Sequence, residues 1–495
     1  MTGPGGSLLV VDVGTSGVRA AVVRPDASVV CAHHAQVLPT SPAPGLVEVD
    51  AERIADAVVA LASAALEEGG PVSGVGIAAQ RATTVVWERA SGRPVAPAIG
   101  WQDLRTVGTC LVLQAEGIRL APNMSATKLA AILDEVDPER ARADELCFGT
   151  VDSWVAWTLS GGAHGGVHVT DATNAAVTGL VRLDAIVWDP AVLDRLRIAP
   201  SMLPAIVDSS GEVGRASALP GAPPICGIAG DQQASLVGQG CTRPGLAKAT
   251  FGTGGMLDLC TGAERLATAG RGPAGTFPIV AWQREGEPVW GVEAIMLSAG
   301  SCVEWLRDDL GVIGSAEESA AVAAGCDDTG DVWFVPALLG MGTPVWDFGA
   351  RGTLVGVTRG TGRAELVRAV LEGVAHRGAD LLEAAEADSG RTVERLRVDG
   401  GMSANEVFVA ALAEATGRVV EVSAEREATT LGAGFLAGLA TGTWRDEDDV
   451  AAAVVPRRAV EPTIPDAERE ARRARWLAAR ARATATIPEL SGIAF

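Results

Sequence analysis

The chain has 495 residues, 48% of them hydrophobic and 20% charged, enough for two cores of the usual ~100–200 residues each and too apolar for a disordered or collagen-like polymer. Lys and Arg number 40 against 61 Asp and Glu, a net charge of −21, so the surface has no electrostatic footprint for phosphate backbones or anionic lipid, and neither nucleic acid nor membrane is an expected partner. The eight cysteines are scattered without a C-x-x-C pair and read as reduced thiols, the opening residues lack the regions of a signal peptide, and no apolar run would span a bilayer, so a cytoplasmic location is expected.

Residues 8–13 form a short apolar run ending in Gly14-Thr15-Ser16-Gly17, followed by 18–23, the turn Pro25-Asp26 and a further run from Val29: strand, glycine turn, strand, turn, strand. A dinucleotide fold needs a helix directly after its glycine turn, and strand-forming residues follow here, so that reading fails. The two lysines, Lys128 and Lys248, lie outside any G-x-x-x-x-G-K-[ST] frame, which excludes a Walker-type loop. Helical spacing appears at 54–66 and 128–135, with a buried-type strand at 75–79 between them. Residues 247–260 then repeat the opening pattern around Gly252-Thr253-Gly254-Gly255, GTGGM against GTSGV, which points to an internal duplication.

A long helix is expected over 364–387, a strand at 396–398 running into Asp399-Gly400-Gly401, and a helix over 405–416. Gly432-Ala433-Gly434 reads as close helix packing rather than a cofactor fingerprint. The final Ala/Arg helix, 465–486, reads as a solvated face. The alternation makes the chain α/β. The glycine- and proline-rich stretch 238–245 marks the boundary, giving domains 1–243 and 244–495.

Asp12 stands at a strand end beside Gly14, Thr15 and Ser16, whose N–H groups and hydroxyls suit a phosphate while the carboxylate suits its Mg²⁺; the same residues also fit a plain hairpin. Asp231, followed by Gln232 and Gln233, ends an apolar run and fits either a helix cap or an acid that accepts a substrate hydroxyl proton. Gly400 and Gly401 would let adenine approach the backbone or simply allow a tight helix entry. Arg81 and Trp101 can bind a hydroxylated carbon chain by hydrogen bonds and ring contact, although each also fits plain surface or core.

In order, these segments resemble the FGGY carbohydrate kinases, in particular their glycerol-kinase branch: DVGTSGVRAAVV, GIAAQRATTVVWERASGRPVAPAIGWQDLRT, GIAGDQQASLVGQG, AKATFGTGG, VPALLGMGTPVWDFGARGTLVGVTRGT and LRVDGGMSANEVF. The resemblance covers about Leu8 to Trp444. It implies two actin-like, ribonuclease-H-like ATPase domains with a cleft between them, ATP and Mg²⁺ as cofactors, and a small polyol or sugar as substrate, with room for a homodimer or tetramer. It also implies roles. Asp231 would be the catalytic base. Asp12, with Asp231, would serve the metal. Thr15, Ser16, Gly17, Arg19, Gly252, Thr253, Gly300, Glu304, Gly401 and Asn405 would meet ATP. Arg81, Ala82, Trp101, Asn123, Asp231, Gln232 and Met256 would meet the substrate.

The chain departs from the glycerol-kinase pattern where substrate is held. Ala82 stands for a Glu, Asn123 for a Tyr and Met256 for a Phe, while Glu304 replaces a Gln near the nucleotide. Loss of a carboxylate acceptor weakens recognition of glycerol hydroxyls, and the smaller side chains open volume. The expected activity is ATP-dependent phosphorylation of a terminal hydroxyl on a tetritol, pentitol or ketopentose in preference to glycerol. The alternative is a non-catalytic, nucleotide-responsive binding or regulatory protein on the same fold. Retention of Asp12, Asp231 and Thr253 favours the enzyme.

Overall fold

A computed structural model describes residues 5–268, 270–425 and 427–492. The opening apolar runs pair as the glycine turn dictates: β1 (Leu8–Gly14) and β2 (Gly17–Val23) are antiparallel from Leu8↔Val23 to Gly14↔Gly17, leaving Thr15 and Ser16 as the turn. β3 (Val29–Gln36) completes the meander. Helix α1 (Ala51–Gly69) starts at Asp50, whose carboxylate accepts the Arg53 N–H. Its buried stripe of Ile54, Val58, Ala62 and Ala65 returns the chain to β4 (Gly74–Ala79), parallel to β1. After an excursion containing α2 (Ser125–Val136), the chain forms β5 (Ser210–Arg215) and β6 (Pro224–Gly230), the latter parallel to β4, and then α3 (Asp231–Gly238).

The second half repeats the plan. β7 (Ala247–Phe251) and β8 (Gly255–Gly262) form the second glycine hairpin, and β9 (Phe277–Arg284) and β10 (Glu287–Met296) extend the antiparallel side. α4 (Arg363–Ser389), β11 (Arg395–Asp399), α5 (Glu406–Thr416), β12 (Val419–Val422), α6 (Ala428–Thr441), β13 (Arg458–Val460) and α7 (Asp466–Ala483) follow.

Strand order in the first half is β6-β4-β1-β2-β3 and in the second β12-β11-β7-β8-β10, with the same sequence of parallel and antiparallel pairs. The duplication expected from two Gly-Thr turns is therefore a property of the whole architecture. The halves join into one thirteen-stranded sheet through β5 and β9, which pair at Ser210↔Arg284. In each half three parallel strands end on one edge, the place where open α/β sheets present ligand-binding loops.

α6, from the second half, packs on α3 and on β1, β4 and β6 of the first half. The contact is backbone to backbone: a Cβ at Gly238 would collide with the Ala428 carbonyl, and one at Gly432 with that of Ala234. Gly432 is thus a packing glycine, as the sequence indicated.

The C-terminal helix departs from expectation. Trp476 of α7 is fully buried, and its indole donates to Asp380 Oδ1 of α4 at 3.1 Å. Arg473 and Arg480 approach the same oxygen at 2.5 and 2.8 Å, and Arg377 reaches Oδ2 at 2.6 Å. Burial would raise the Asp380 carboxyl, but the Arg377, Arg473 and Arg480 guanidiniums hold it down to about 2. Arg473 and Arg480 thus belong to a docking face built around one buried acid, which sequence spacing alone cannot distinguish from solvated charge, while Arg472, Arg475 and Arg482 stay exposed as expected.

All eight cysteines are free. Among the described residues no helix is long and apolar enough to cross a membrane. Gly432→Ala is expected to force α3 and α6 apart and cost about 3 kcal/mol, read as a lower denaturant midpoint in equilibrium unfolding. An unchanged midpoint would mean that this contact does not set the spacing of the two helices.

Candidate active site

The parallel strands of the first half deliver three sets of residues to one edge. β1 brings Asp12 and the Thr15-Ser16 turn, β4 runs into Gln80, Arg81 and Ala82, and β6 ends at Gly230, directly before Asp231. Asp231 is the first residue of α3, with Gly230 as its cap, so it is not itself the N-cap; its Oδ1 accepts the Gln232 N–H at 2.8 Å. Burial raises the Asp231 carboxyl, while Arg81, with Nε 3.7 Å from Oδ1, pulls it back. Burial, and then the Asp231 charge, push Asp12 up to about 6, with Arg19 opposing them. Thr430 of α6 donates to Asp12 Oδ2 at 3.3 Å.

Arg81 bridges the two halves. Its Nη2 lies 2.7 Å from Glu293 of β10 and 3.9 Å from the Met256 sulfur of β8, so a first-half arginine rests on two second-half strands. Glu293 is buried, which raises its carboxyl against the pull of Arg81. Gln232 Oε1 accepts from Lys248 Nζ at 2.7 Å, and Lys248 pairs with Asp258 at 2.7 Å, both side chains fully buried. Trp101 donates through Nε1 to Thr15 Oγ1 at 3.1 Å, tying the substrate segment to the first glycine turn.

Ala82 is buried, with φ +62°, and its carbonyl accepts from Ser125 at 3.1 Å at the start of α2. Asn123 lies exposed two residues earlier and offers its carbonyl to buried Lys128 at 3.0 Å.

The other expected nucleotide residues gather around the second glycine turn. The Gly300 N–H donates to the Gly252 carbonyl at 2.8 Å, and Ala299 N–H to that of Thr253 at 2.9 Å, which seats the short helix Gly300–Glu304 on the turn. Glu304 is exposed at the end of that helix. Gly400 has φ +84° and its α-carbon faces the Phe251 backbone so closely that a Cβ would collide, whereas Gly401 is open. Asn405 caps α5 through the Phe408 N–H and donates to Ser319 at 2.9 Å. Arg19, opposite Asp12 across the hairpin, is engaged by Glu427 at the start of α6. Thr15, Ser16 and Gly17 sit in the first turn, across the sheet order from this group.

Residues 7–238 match the N-terminal domain, and residues 247–441 the C-terminal domain, of the FGGY family of carbohydrate kinases. The chain belongs to this family. It is a carbohydrate kinase, transferring a phosphoryl group to an alcohol, and its family uses ATP as the donor. It is 42% identical over 487 residues to a glycerol kinase of Aromatoleum aromaticum, covering 95% of this chain and 97% of that one. It is 39% identical over 487 residues to glycerol kinase 2 of Thermotoga maritima, with the same coverage. Among solved structures it resembles Plasmodium falciparum glycerol kinase with ADP, with TM-score 0.90 and 26% identity over 96% of this chain and 98% of that one. A xylulose kinase from Brucella ovis gives TM-score 0.83 and 25% identity over 97% and 99%. The two-domain actin-like ATPase fold of the family is the fold of this chain.

Sequence reading overlooked Glu293, Lys248, Asp258, Thr250, Glu427 and Thr430. A signal for some of them was present: an acid inside the apolar run VWGVEAIM, and a lysine in the short strand leading into a glycine turn in a chain that has only one other. The partners of Glu293, Glu427 and Thr430 lie far away in the chain, so those pairings could not be read from spacing, whereas Lys248 and Asp258 face each other across the second hairpin.

Because the folded pKa of Asp12, about 6, lies above its ordinary 3.8, its contribution to stability is full below 3.8 and lost as the pH rises through 6. Asp12→Asn is therefore expected to be more heat-stable than the parent at pH 8 without ligand, and to lose that advantage as the pH falls through 6 toward 3.8. Parallel melting curves across that range check this. A difference independent of pH would show that Asp12 titrates normally.

Proposed function

We propose that this kinase phosphorylates a terminal hydroxyl of a tetritol, pentitol or ketopentose in preference to glycerol, with Asp231 as the general base. The observation that carries this reading is the meeting of Arg81, Asp231, Gln232 and Met256 across the two halves, beside an Ala82 that offers only a methyl group. Arg81 donates to substrate hydroxyls and is held for that task by Glu293. Where glycerol kinases carry a carboxylate next to this arginine, the smaller Ala82 offers no acceptor. Met256 can adapt to a longer chain because its thioether side chain is unbranched and flexible. The glycerol kinases it resembles argue for a shared reaction, and the likeness of its fold to a xylulose kinase supports a longer substrate.

In the proposed reaction Asp231 accepts the proton of the terminal hydroxyl as that oxygen attacks the γ-phosphorus of ATP and ADP departs. A carboxyl raised by burial is a better base near neutral pH than a free one, and the Arg81 charge opposes that rise and favours the ionised form. Backbone N–H groups of the 15–17 and 252–253 turns meet the charge spreading over the phosphoryl oxygens. The Asp231 charge raises the Asp12 carboxyl, and two such carboxylates suit Mg²⁺, which takes one or two carboxylates together with phosphate oxygens. These two residues would hold the ion, which when bound neutralises phosphate charge. Domains 1–243 and 244–495 closing on each other would exclude water and so suppress ATP hydrolysis.

Asp231→Asn is expected to lower kcat about 10³-fold while ATP and polyol still bind, measured by ADP release and calorimetry; unchanged turnover would remove the base assignment. In a panel of glycerol, erythritol, xylitol and xylulose, the best longer substrate is expected to exceed glycerol about tenfold in kcat/KM, and Ala82→Glu to shift preference back toward glycerol. Glycerol leading the panel by a wide margin would reject the substrate proposal.

A further inference from the structure

The chain contains two lysines against 38 arginines, and both lysines are fully buried. Solvated cationic surface is therefore left to arginine, and a lysine survives only where a compact ammonium with three protons is surrounded by protein. Lys248 is such a case. Its Nζ has three acceptors: Asp258 Oδ2 at 2.7 Å, Gln232 Oε1 at 2.7 Å and Thr250 Oγ1 at 3.1 Å. An ammonium only donates, so these three bonds use all its protons and settle which end of the Gln232 amide faces it. The carbonyl oxygen is committed to Lys248, and the NH₂ group is the end left for a ligand.

The clamp is itself held. Thr250, having accepted from Lys248, bonds to the Asp399 side chain, and Asp399 also accepts from Ser235 of α3 at 3.2 Å. β7, β11 and the helix that begins at Asp231 are thereby joined in one network, and rotation of the amide would cost the ammonium its bond to Gln232.

We propose that Lys248 is a positioning residue that fixes the Gln232 amide as a donor, so that the substrate atom it reads must carry an oxygen lone pair. A hydroxyl or carbonyl oxygen is accepted there, and a protonated amine, which has no lone pair to offer, is rejected. This rests on the reading of Gln232 as a substrate residue given above. It deepens that reading by assigning the chemical class selected at one position: neutral oxygenated chains over amino sugars and amino polyols.

The test compares glycerol with serinol, in which an ammonium replaces the central hydroxyl, and with isoserinol, in which it replaces a terminal one. Lys248→Met combined with Asp258→Leu removes the buried pair together, so no unpaired charge is left behind and the net charge of the site is unchanged. With the clamp gone the amide can turn its oxygen outward. The preference for glycerol over the more strongly rejected amine, in kcat/KM, is expected to fall at least about tenfold, with a rise in KM larger than the fall in kcat. A folded double variant that keeps the parental preference overturns the proposal, because general loosening of the site would not selectively admit an amine.

Should the double variant fail to fold, Gln232→Glu replaces the NH₂ by an acceptor oxygen with little change of shape. It is expected to improve binding of the rejected amine relative to glycerol, and an unchanged ratio overturns the proposal equally. Repeating the binding comparison by calorimetry in Asp231→Asn, where no turnover is needed, separates this result from the base assignment. If Asp231 is not the base, turnover persists in that variant while the amide selectivity is still read from binding.

Discussion

Two buried ion pairs underlie the site: Arg81 with Glu293, and Lys248 with Asp258. Each joins a residue at the strand-end edge of the first half, Arg81 directly and Gln232 through Lys248, to strands of the second. Taking four charges out of water costs several kcal/mol per ion before attraction returns any of it, and apolar replacements of the same shape would often be at least as stable. What these pairs secure is placement. They fix where the guanidinium and the amide sit relative to Asp231, in surroundings where a free Arg or Gln side chain would sample several rotamers.

The duplicated sheet supplies the frame for that placement. Each half presents a glycine hairpin and two further parallel strand ends on one edge, and the halves have diverged in what those edges carry. The first edge holds Asp12, Arg81 and Asp231, acids and a base-pairing cation suited to the reacting end of a phosphoryl transfer. The second holds Gly252, Thr253, Gly300, Gly400 and Gly401, mostly backbone, suited to a ligand that must approach closely. Helix α6 crosses between them, supplying Thr430 to Asp12 while Glu427 at its start engages Arg19, and its glycines let it lie directly against α3.

Much of this was legible along the chain. Strands bounded by Gly-Thr turns, the amphipathic spacing of 54–66 and the long helix over 364–387 all formed within a few residues of where periodicity placed them, because each is specified by local pattern and turn chemistry. The C-terminal helix was recognised as a helix and misread in its surface: Arg473 and Arg480 look like any solvated arginines until Asp380, some ninety residues earlier, is brought beneath them. The candidate site was legible where a residue and its role share a segment, as in Asp12 with its turn or Asp231 with Gln232.

The amino-acid sequence by itself determined the α/β class, the repeated strand-turn-strand units, the family and most of the polar residues at the edges, since these depend on order, periodicity and motif spacing. Tertiary structure alone decided which charges meet: Glu293 with Arg81, Glu427 with Arg19 and Asp380 with the last helix. Those pairings join segments separated by tens to hundreds of residues. Electrostatic attraction at 3 Å in a buried setting depends on the folded distance, which no one-dimensional spacing encodes.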